Sequence, residues 1–305
     1  MQRPEFAVER LRVPRFSLIV TCKGRLMHLR QTLPLFCQLP GCEVTVVDYG
    51  CPDRSGDWVA AHFPTVNVVR VEDDPGFNPS RARNIAARAS TADYLFFVDA
   101  DIRVAANAMD AISAAVTPET YVTIDATERG DDLRGTAVVP RAMFEAVGGY
   151  DELLRHYGME DTELYTRLTD YGCKDAFIPP DAFTAIPHGD ELRTTFFPTK
   201  SVRKLRLIAQ FYQEYIKVFR RSVRVPQLAL EDREQIHAAA CSLVEQLTAA
   251  SDPRNGARLG LKLPLIRPED KIGGDMDWQF ELTMTMKPRN PSAFRQAYRN
   301  PLLRR

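Results

Sequence analysis

Apolar residues fall in short, nearly uninterrupted runs over the first hundred positions, separated by stretches with helical patterning. FSLIV (residues 16–20), EVTVVD (43–48), VNVVRV (66–71) and YLFFVD (94–99) are rich in β-branched and aromatic residues. Runs this continuous suit strands covered on both faces. Between them, residues 25–39, 53–62 and 79–89 read as helices. The alternation predicts an α/β fold with a mainly parallel sheet and crossover helices. The third helix has a start signal in GFNPS: Pro79 suits a first turn, and Asn78 precedes it as a cap.

The pattern changes after residue 104. YVTID and TAVVP read as strands, RAMFEAVGGYD as a short helix closed by Gly148-Gly149, and EDTELYTRLTDYGC as a helix closed near Gly172. From residue 198 the composition shifts. Leu205, Ile208, Ala209, Tyr212, Ile216 and Phe219 recur at helical spacing, a second helix covers about residues 231–249, and DWQFELTMTM reads as a late strand. The predicted organisation is a catalytic domain over residues 1–198 and a mostly helical extension over 199–305.

One strand ends in carboxylates. YLFFVDADIRV runs apolar and then places Asp99 and Asp101 one residue apart. Ligands of open α/β sheets gather beyond the carboxyl ends of strands. Two acids at i and i+2 of an extended segment project to one side. Hard oxygen donors of this kind suit Mg²⁺ or Mn²⁺ and, through it, a diphosphate; the alternative is a solvated strand end. Upstream, Arg81, Arg83 and Asn84 lie on the helix that leads into this strand. Downstream, GMEDTE sets Glu160 and Asp161 at the start of a helix, where the positive helix end keeps a carboxylate ionised as a general base requires. A capping acid without chemistry reads the same residues equally well.

Composition adds bounds. Lys+Arg and Asp+Glu both count 40 in 305 residues, so net charge argues for no nucleic-acid partner. The six cysteines form no C-x-x-C pair and read as reduced thiols. The N-terminal MQRPEFAVERLRVPRF lacks an apolar core of the secretory type, and no run reaches the ~18 apolar residues of a membrane span. A cytoplasmic location is expected, with any membrane contact peripheral and at the inner face.

Four stretches occur in order: SLIVTCKGR, TVVDYG, GFNPSRARNIAARASTADYLFFVDADI and GTAVVPRAMFEAVGGYDELLRHYGMEDTELYTRL. Together they resemble the inverting GT-A glycosyltransferases of the family 2 type, and most of all the branch with the β-1,4-galactosyltransferases and bacterial chondroitin-type polymerases. The resemblance covers residues 16–188 and rests on the order of the motifs. It implies a GT-A fold and a metal-dependent hexosyltransferase that moves sugar from a nucleotide diphosphate sugar, UDP-sugar favoured, to a hydroxyl of a glycan or glycolipid acceptor. A role in polysaccharide biosynthesis follows from the same likeness.

By that resemblance, Thr21, Arg25 and Asp48 hold the nucleoside, with Asp48 as partner of the base. Arg83, Asn84 and Gly135 join the donor side. Asp101 is the direct ligand of Mn²⁺ or Mg²⁺, Asp99 leans towards the ribose or a metal-bound water, and His188 completes the metal shell. Glu160 holds the sugar or acceptor, and Asp161 is the general base. The chain departs from the family in Tyr49-Gly50-Cys51 after Asp48. It departs again at Tyr157 and Met159, where galactosyltransferases carry a tryptophan.

Two other classes stay open. A non-catalytic nucleotide-sugar or glycan-binding module would keep Asp48 and Asp101 but need no Glu160-Asp161. A sugar nucleotidyltransferase would want a Gly-rich phosphate loop, and TCKGRL has a single glycine. In the extension, Lys200, Arg203, Lys204, Arg206, Lys217, Arg220, Arg221 and Arg224 flank the apolar stripe, opposed by Glu214. This amphipathic helix fits an anionic membrane surface, a packed interior, or a second subunit.

Overall fold

The computed structural model describes residues 15–125, 133–155, 158–197, 200–249, 257–264 and 279–290. In chain order the elements are β1 (Phe16–Cys22), α1 (Leu26–Phe36), β2 (Cys42–Asp48), α2 (Ser55–His62), β3 (Asn67–Arg70), α3 (Pro79–Ala89) and β4 (Tyr94–Phe97). Then come β5 (Ile102–Val104), α4 (Ala108–Ala115), β6 (Thr120–Ile124), β7 (Ala137–Pro140), α5 (Arg141–Ala146), α6 (Glu160–Tyr171), β8 (Lys174–Ile178) and β9 (Phe183–Ala185). The chain continues with α7 (Asp190–Thr194), α8 (Val202–Val223), α9 (Leu230–Ala249), β10 (Ala257–Pro264) and β11 (Gln279–Met286). Packing divides these into two compact units that interleave along the sequence. One holds the described residues of Met1–Val71, Ile85–Ala142 and Asp175–Ile186; the other holds those of Glu72–Asn84, Met143–Lys174 and Pro187–Arg305.

The first unit is built on a sheet of order β3-β2-β1-β4-β7-β6-β8. β1 is parallel to β2 and to β4, and β2 is parallel to β3. The direction reverses at β7, which is antiparallel to β4 and β6. The parallel half is thus the segment with continuous apolar runs, as burial on both faces demands. Leu18, Val20, Val46 and Phe96 share one core with Leu29, Leu33 and Phe36 of α1. Because β2 and β4 flank β1 on opposite sides, the strand order reverses there. The carboxyl ends of β1 and β4 border a topological switch point, where α/β sheets bind ligands.

The second unit has its own core. The predicted stripe on α8 is buried: Leu205, Ile208, Ala209, Tyr212, Ile216 and Phe219 pack with Ile236, Ala240, Leu243, Val244 and Leu247 of α9 and with Leu153 and Leu154. Burial of these side chains inside a core accounts for the amphipathic pattern without a bilayer. Polar links reinforce it. The Tyr212 hydroxyl donates to the Asp151 carboxylate, which Arg233 Nη1 also reaches at 2.6 Å. Arg220 and Arg221 both donate to Asp170 at the end of α6. β10 and β11 form a separate antiparallel pair. Among the described residues no helix is long and apolar enough to cross a membrane. All six cysteines are free thiols.

Candidate active site

In the first unit, Thr21 is the penultimate residue of β1, Arg25 follows that strand's carboxyl end, and Asp48 closes β2 in register with Cys22. Asp48 is buried, and its carboxylate has structural work. Oδ1 accepts the Cys51 N–H at 2.7 Å and Oδ2 accepts the Gly56 N–H at 2.6 Å, with Arg70 Nη1 3.7 Å away. Gly56 is the second residue of α2, so an acid from the preceding strand satisfies one of that helix's open N–H groups. A Cβ at Gly56 would lie 2.7 Å from Asp48 Oδ2, so glycine is what lets the carboxylate in. Sequence reading missed Gly56; the glycine two residues into the helix was the available signal. Beside this loop, buried Lys23 lies 5.5 Å from the centroid of the Tyr49 ring.

Asp99 and Asp101 lie beyond β4, as expected, but in a turn rather than on an extended segment. β4 ends at Phe97, and the Ile102 N–H donates to Asp99 O at 3.1 Å, closing a four-residue turn. The alternation argument for their common side therefore does not apply. The turn is well held: Thr32 Oγ1 donates to Ala100 O at 2.9 Å, the Ile186 N–H donates to Asp101 O at 2.7 Å, and β5 pairs with β9. Both acids are partly exposed. Gly135 is buried just before β7.

The second unit brings together Arg83, Glu160 and Asp161. Gly158 and Met159 enter α6 with φ of +91° and +77°. A non-glycine residue in the left-handed region is strained, a feature that concentrates at functional sites. Met159 is the N-cap, so Glu160 and Asp161 do not cap the helix; they are its first two residues. Both are buried at the positive helix end. Arg83 Nη1 lies 3.1 Å from Glu160 Oε1 and 3.2 Å from Asp161 Oδ1, so one guanidinium holds both acids. The Tyr150 hydroxyl also donates to Asp161 Oδ1, at 3.2 Å. Among the described residues, Glu160 Oε2 is buried without a hydrogen-bond partner. An orphaned carboxylate oxygen costs free energy unless a ligand hydroxyl reaches it.

Two more expected residues lie in this unit. The Asn84 amide serves the backbone: Nδ2 donates to Tyr150 O at 2.9 Å and to Glu152 Oε1 at 3.0 Å, and Oδ1 accepts the Tyr150 N–H at 2.8 Å. His188 is partly exposed, with Nδ1 3.1 Å from Gly189 O, just before α7. Tyr157 lies outside the described residues. Behind α6's start, fully buried Arg167 is held by Glu163, with Nη2 2.6 Å from Oε2, and donates to Val147 O at 2.5 Å.

For a divalent cation, Asp99 and Asp101 supply the hard oxygen donors that Mg²⁺ and Mn²⁺ take. Among the described residues, however, no group of three or more His, Cys, Asp or Glu side chains forms a ready-made metal cage. The donor set therefore fits an ion that completes its shell with substrate oxygens and water rather than with protein alone.

The strand order and its switch point at β1 define a fold of the GT-A type. The chain belongs to glycosyl transferase family 2, whose sequence profile matches residues 17–174, more than half of its length. Among solved structures it is similar in fold to S. aureus TarS 1-349 in complex with UDP-GlcNAc. The TM-score is 0.54 at 16% identity, over 76% of this chain and 72% of that one. It is also similar to the mannosyltransferase PcManGT from Pyrobaculum calidifontis in complex with GDP-Man and Mn²⁺. There the TM-score is 0.51 at 19% identity, over 78% of this chain and 70% of that one. Comparison with curated protein sequences finds no match.

Proposed function

We propose that the protein is an inverting, metal-dependent glycosyltransferase that uses a nucleotide diphosphate sugar, with a UDP-sugar as first choice, and a hydroxyl of a glycan or glycolipid acceptor. The observation that carries this reading is the acid pair: Glu160 and Asp161 open α6, share Arg83, and leave Glu160 Oε2 as a buried acceptor in search of a hydroxyl. Asp161 takes the proton of the acceptor hydroxyl. The oxygen forms its bond to the anomeric carbon as the bond from that carbon to the diphosphate oxygen breaks, and the nucleoside diphosphate leaves. Glu160 accepts a hydrogen bond from a sugar hydroxyl. Arg83 holds both carboxylates in place through one shared nitrogen.

The first unit supplies donor recognition through the strand-end residues Thr21, Arg25, Asp99, Asp101 and Gly135. In this reading Asp48 acts by fixing the loop after β2, since its oxygens already hold Cys51 and Gly56. A bound Mn²⁺ or Mg²⁺ would be held by Asp101, with Asp99 as a further candidate, and would neutralise charge on the departing diphosphate. Support for a UDP donor and for Mn²⁺ comes from the family and from similar folds crystallised with UDP-GlcNAc, or with GDP-Man and Mn²⁺.

The test is Asp161→Asn, assayed with UDP-GlcNAc and GDP-mannose in Mn²⁺ by release of nucleoside diphosphate. Transfer should fall by at least about a hundredfold while donor binding persists. Near-normal turnover would remove Asp161 from the mechanism.

A further inference from the structure

Tyr150 was not singled out by the sequence, yet it is among the most constrained side chains in the second unit. It is 2% exposed. Its backbone is bracketed on both sides by the Asn84 amide. The bracket requires glycine before it: Gly149 has φ +69°, and a Cβ there would lie 2.7 Å from Asn84 Oδ1. The Phe144 ring meets the Tyr150 ring edge-on at 5.9 Å between centroids, and the Arg83 guanidinium carbon sits 5.1 Å from the Tyr150 centroid. A ring held at its backbone, edge and face has one place to put its hydroxyl. That place is 3.2 Å from Asp161 Oδ1, the same oxygen that Arg83 Nη1 reaches at 3.2 Å.

We propose that Tyr150 is a positioning residue for the base, fixing and tuning the Asp161 carboxylate through its hydroxyl in concert with Arg83. The inference rests on the assignment of Asp161 as the base. Among the described groups facing Asp161 are Arg83 from α3, Glu160 beside it on α6, and Tyr150 from the loop after α5. Burial, then the neighbouring Asp161 charge, pushes the phenol well above its ordinary range. The phenol therefore stays protonated, and a donor, at neutral pH. A donor to a carboxylate favours the ionised form and restricts rotation about its last torsion.

The experiment is the pH dependence of nucleoside diphosphate release from UDP-GlcNAc or GDP-mannose with Mn²⁺, in the wild-type chain, Tyr150→Phe, Asn84→Ala and Asp161→Asn. Melting curves of each protein at each assay pH show whether the folded fraction stays constant across the limb, which separates acid unfolding from titration of the base. In Tyr150→Phe the limb should move up by about half to one pH unit, with kcat lowered roughly tenfold and donor KM unchanged. Asn84→Ala, which frees the bracket, should move the limb in the same direction. If Asp161→Asn is inactive and Tyr150→Phe keeps the wild-type limb, the role given to Tyr150 is wrong and the base assignment stands. If Asp161→Asn turns over normally, the base assignment itself falls, and the tuning role with it.

Discussion

Arg83 Nη1 lies 3.2 Å from Asp161 Oδ1 across 78 positions of sequence, both side chains buried. The same nitrogen serves Glu160, so one cation balances two acids. Replacing Arg83 by Met would remove the buried cation that these two buried carboxylates share. Removal of one partner from a buried ion pair costs on the order of 3–5 kcal/mol. We expect Arg83→Met to melt well below wild type and to lose transfer. Adding Glu160→Gln and Asp161→Asn to it should restore most of the melting temperature, because the uncompensated charge is gone, but none of the activity. Thermal melts and turnover of the two proteins check both halves. A triple variant that stays as unstable as Arg83→Met would show that packing, not charge, is what Arg83 supplies.

Asp48 gives a second, separable expectation. If its carboxylate chiefly holds Cys51 and Gly56, then Asp48→Asn loses charge-assisted acceptors at the start of α2 and costs about 1 kcal/mol. Gly56→Ala should cost more, since the new Cβ would sit 2.7 Å from Asp48 Oδ2 and 2.9 Å from Arg70 Nη1. Both variants should lower the melting temperature in the absence of any nucleotide. A role confined to the nucleobase predicts the reverse: unchanged stability and weakened UDP binding, measured by calorimetry.

What was legible in the chain follows how local its cause is. The four parallel strands announced themselves because burial on both faces leaves a continuous apolar run, and α3 begins at Pro79 as the start signal required. Glu160 and Asp161 were visible as neighbours, since one helix start places them together. Their grip by Arg83 was not, because nothing in residues 158–163 encodes a partner 77 positions away. The same holds for Tyr150, whose importance arises from Asn84. The reading of Asp99 and Asp101 found the place but the wrong local geometry: strand alternation was extended past Phe97, where the Ile102 N–H bond to Asp99 O folds the chain into a turn. β5 and β9 have three residues each, too few for a period to register. β10 was overlooked although Leu259, Leu261 and Leu263 alternate with other residues.

For the cation, Asp101 is the residue with the most to lose. Asp101→Ala should weaken UDP-sugar binding measured with Mn²⁺ by at least about tenfold, the equivalent of one charge-assisted contact. Without divalent metal the variant and the wild type should bind alike. The control matters because Asp101 also helps hold the turn in place: its backbone carbonyl accepts the Ile186 N–H, and alanine preserves that bond. Equal affinity with and without Mn²⁺ in the wild type would refute the metal role outright.

The last expectation concerns how α8 is tied to α6. Asp170 receives Arg220 Nη2 at 2.5 Å and Arg221 Nη2 at 2.8 Å. Partial burial pushes its carboxyl up, but the two guanidinium groups outweigh that and hold it below its ordinary value. A carboxyl lowered by folding stabilises the folded state fully above its unfolded pKa of about 4, and loses that contribution as pH falls through the lower folded value. Asp170→Asn should therefore cost on the order of 1–2 kcal/mol at neutral pH. The gap to wild type should hold down to about pH 4 and close below it, as the wild-type carboxyl takes up its proton. Melting curves of the two proteins from neutral to acidic pH measure this directly. A gap that is the same at every pH would mean that Asp170 acts through packing, with Arg220 and Arg221 contributing no charge pairing to the joint between the helices.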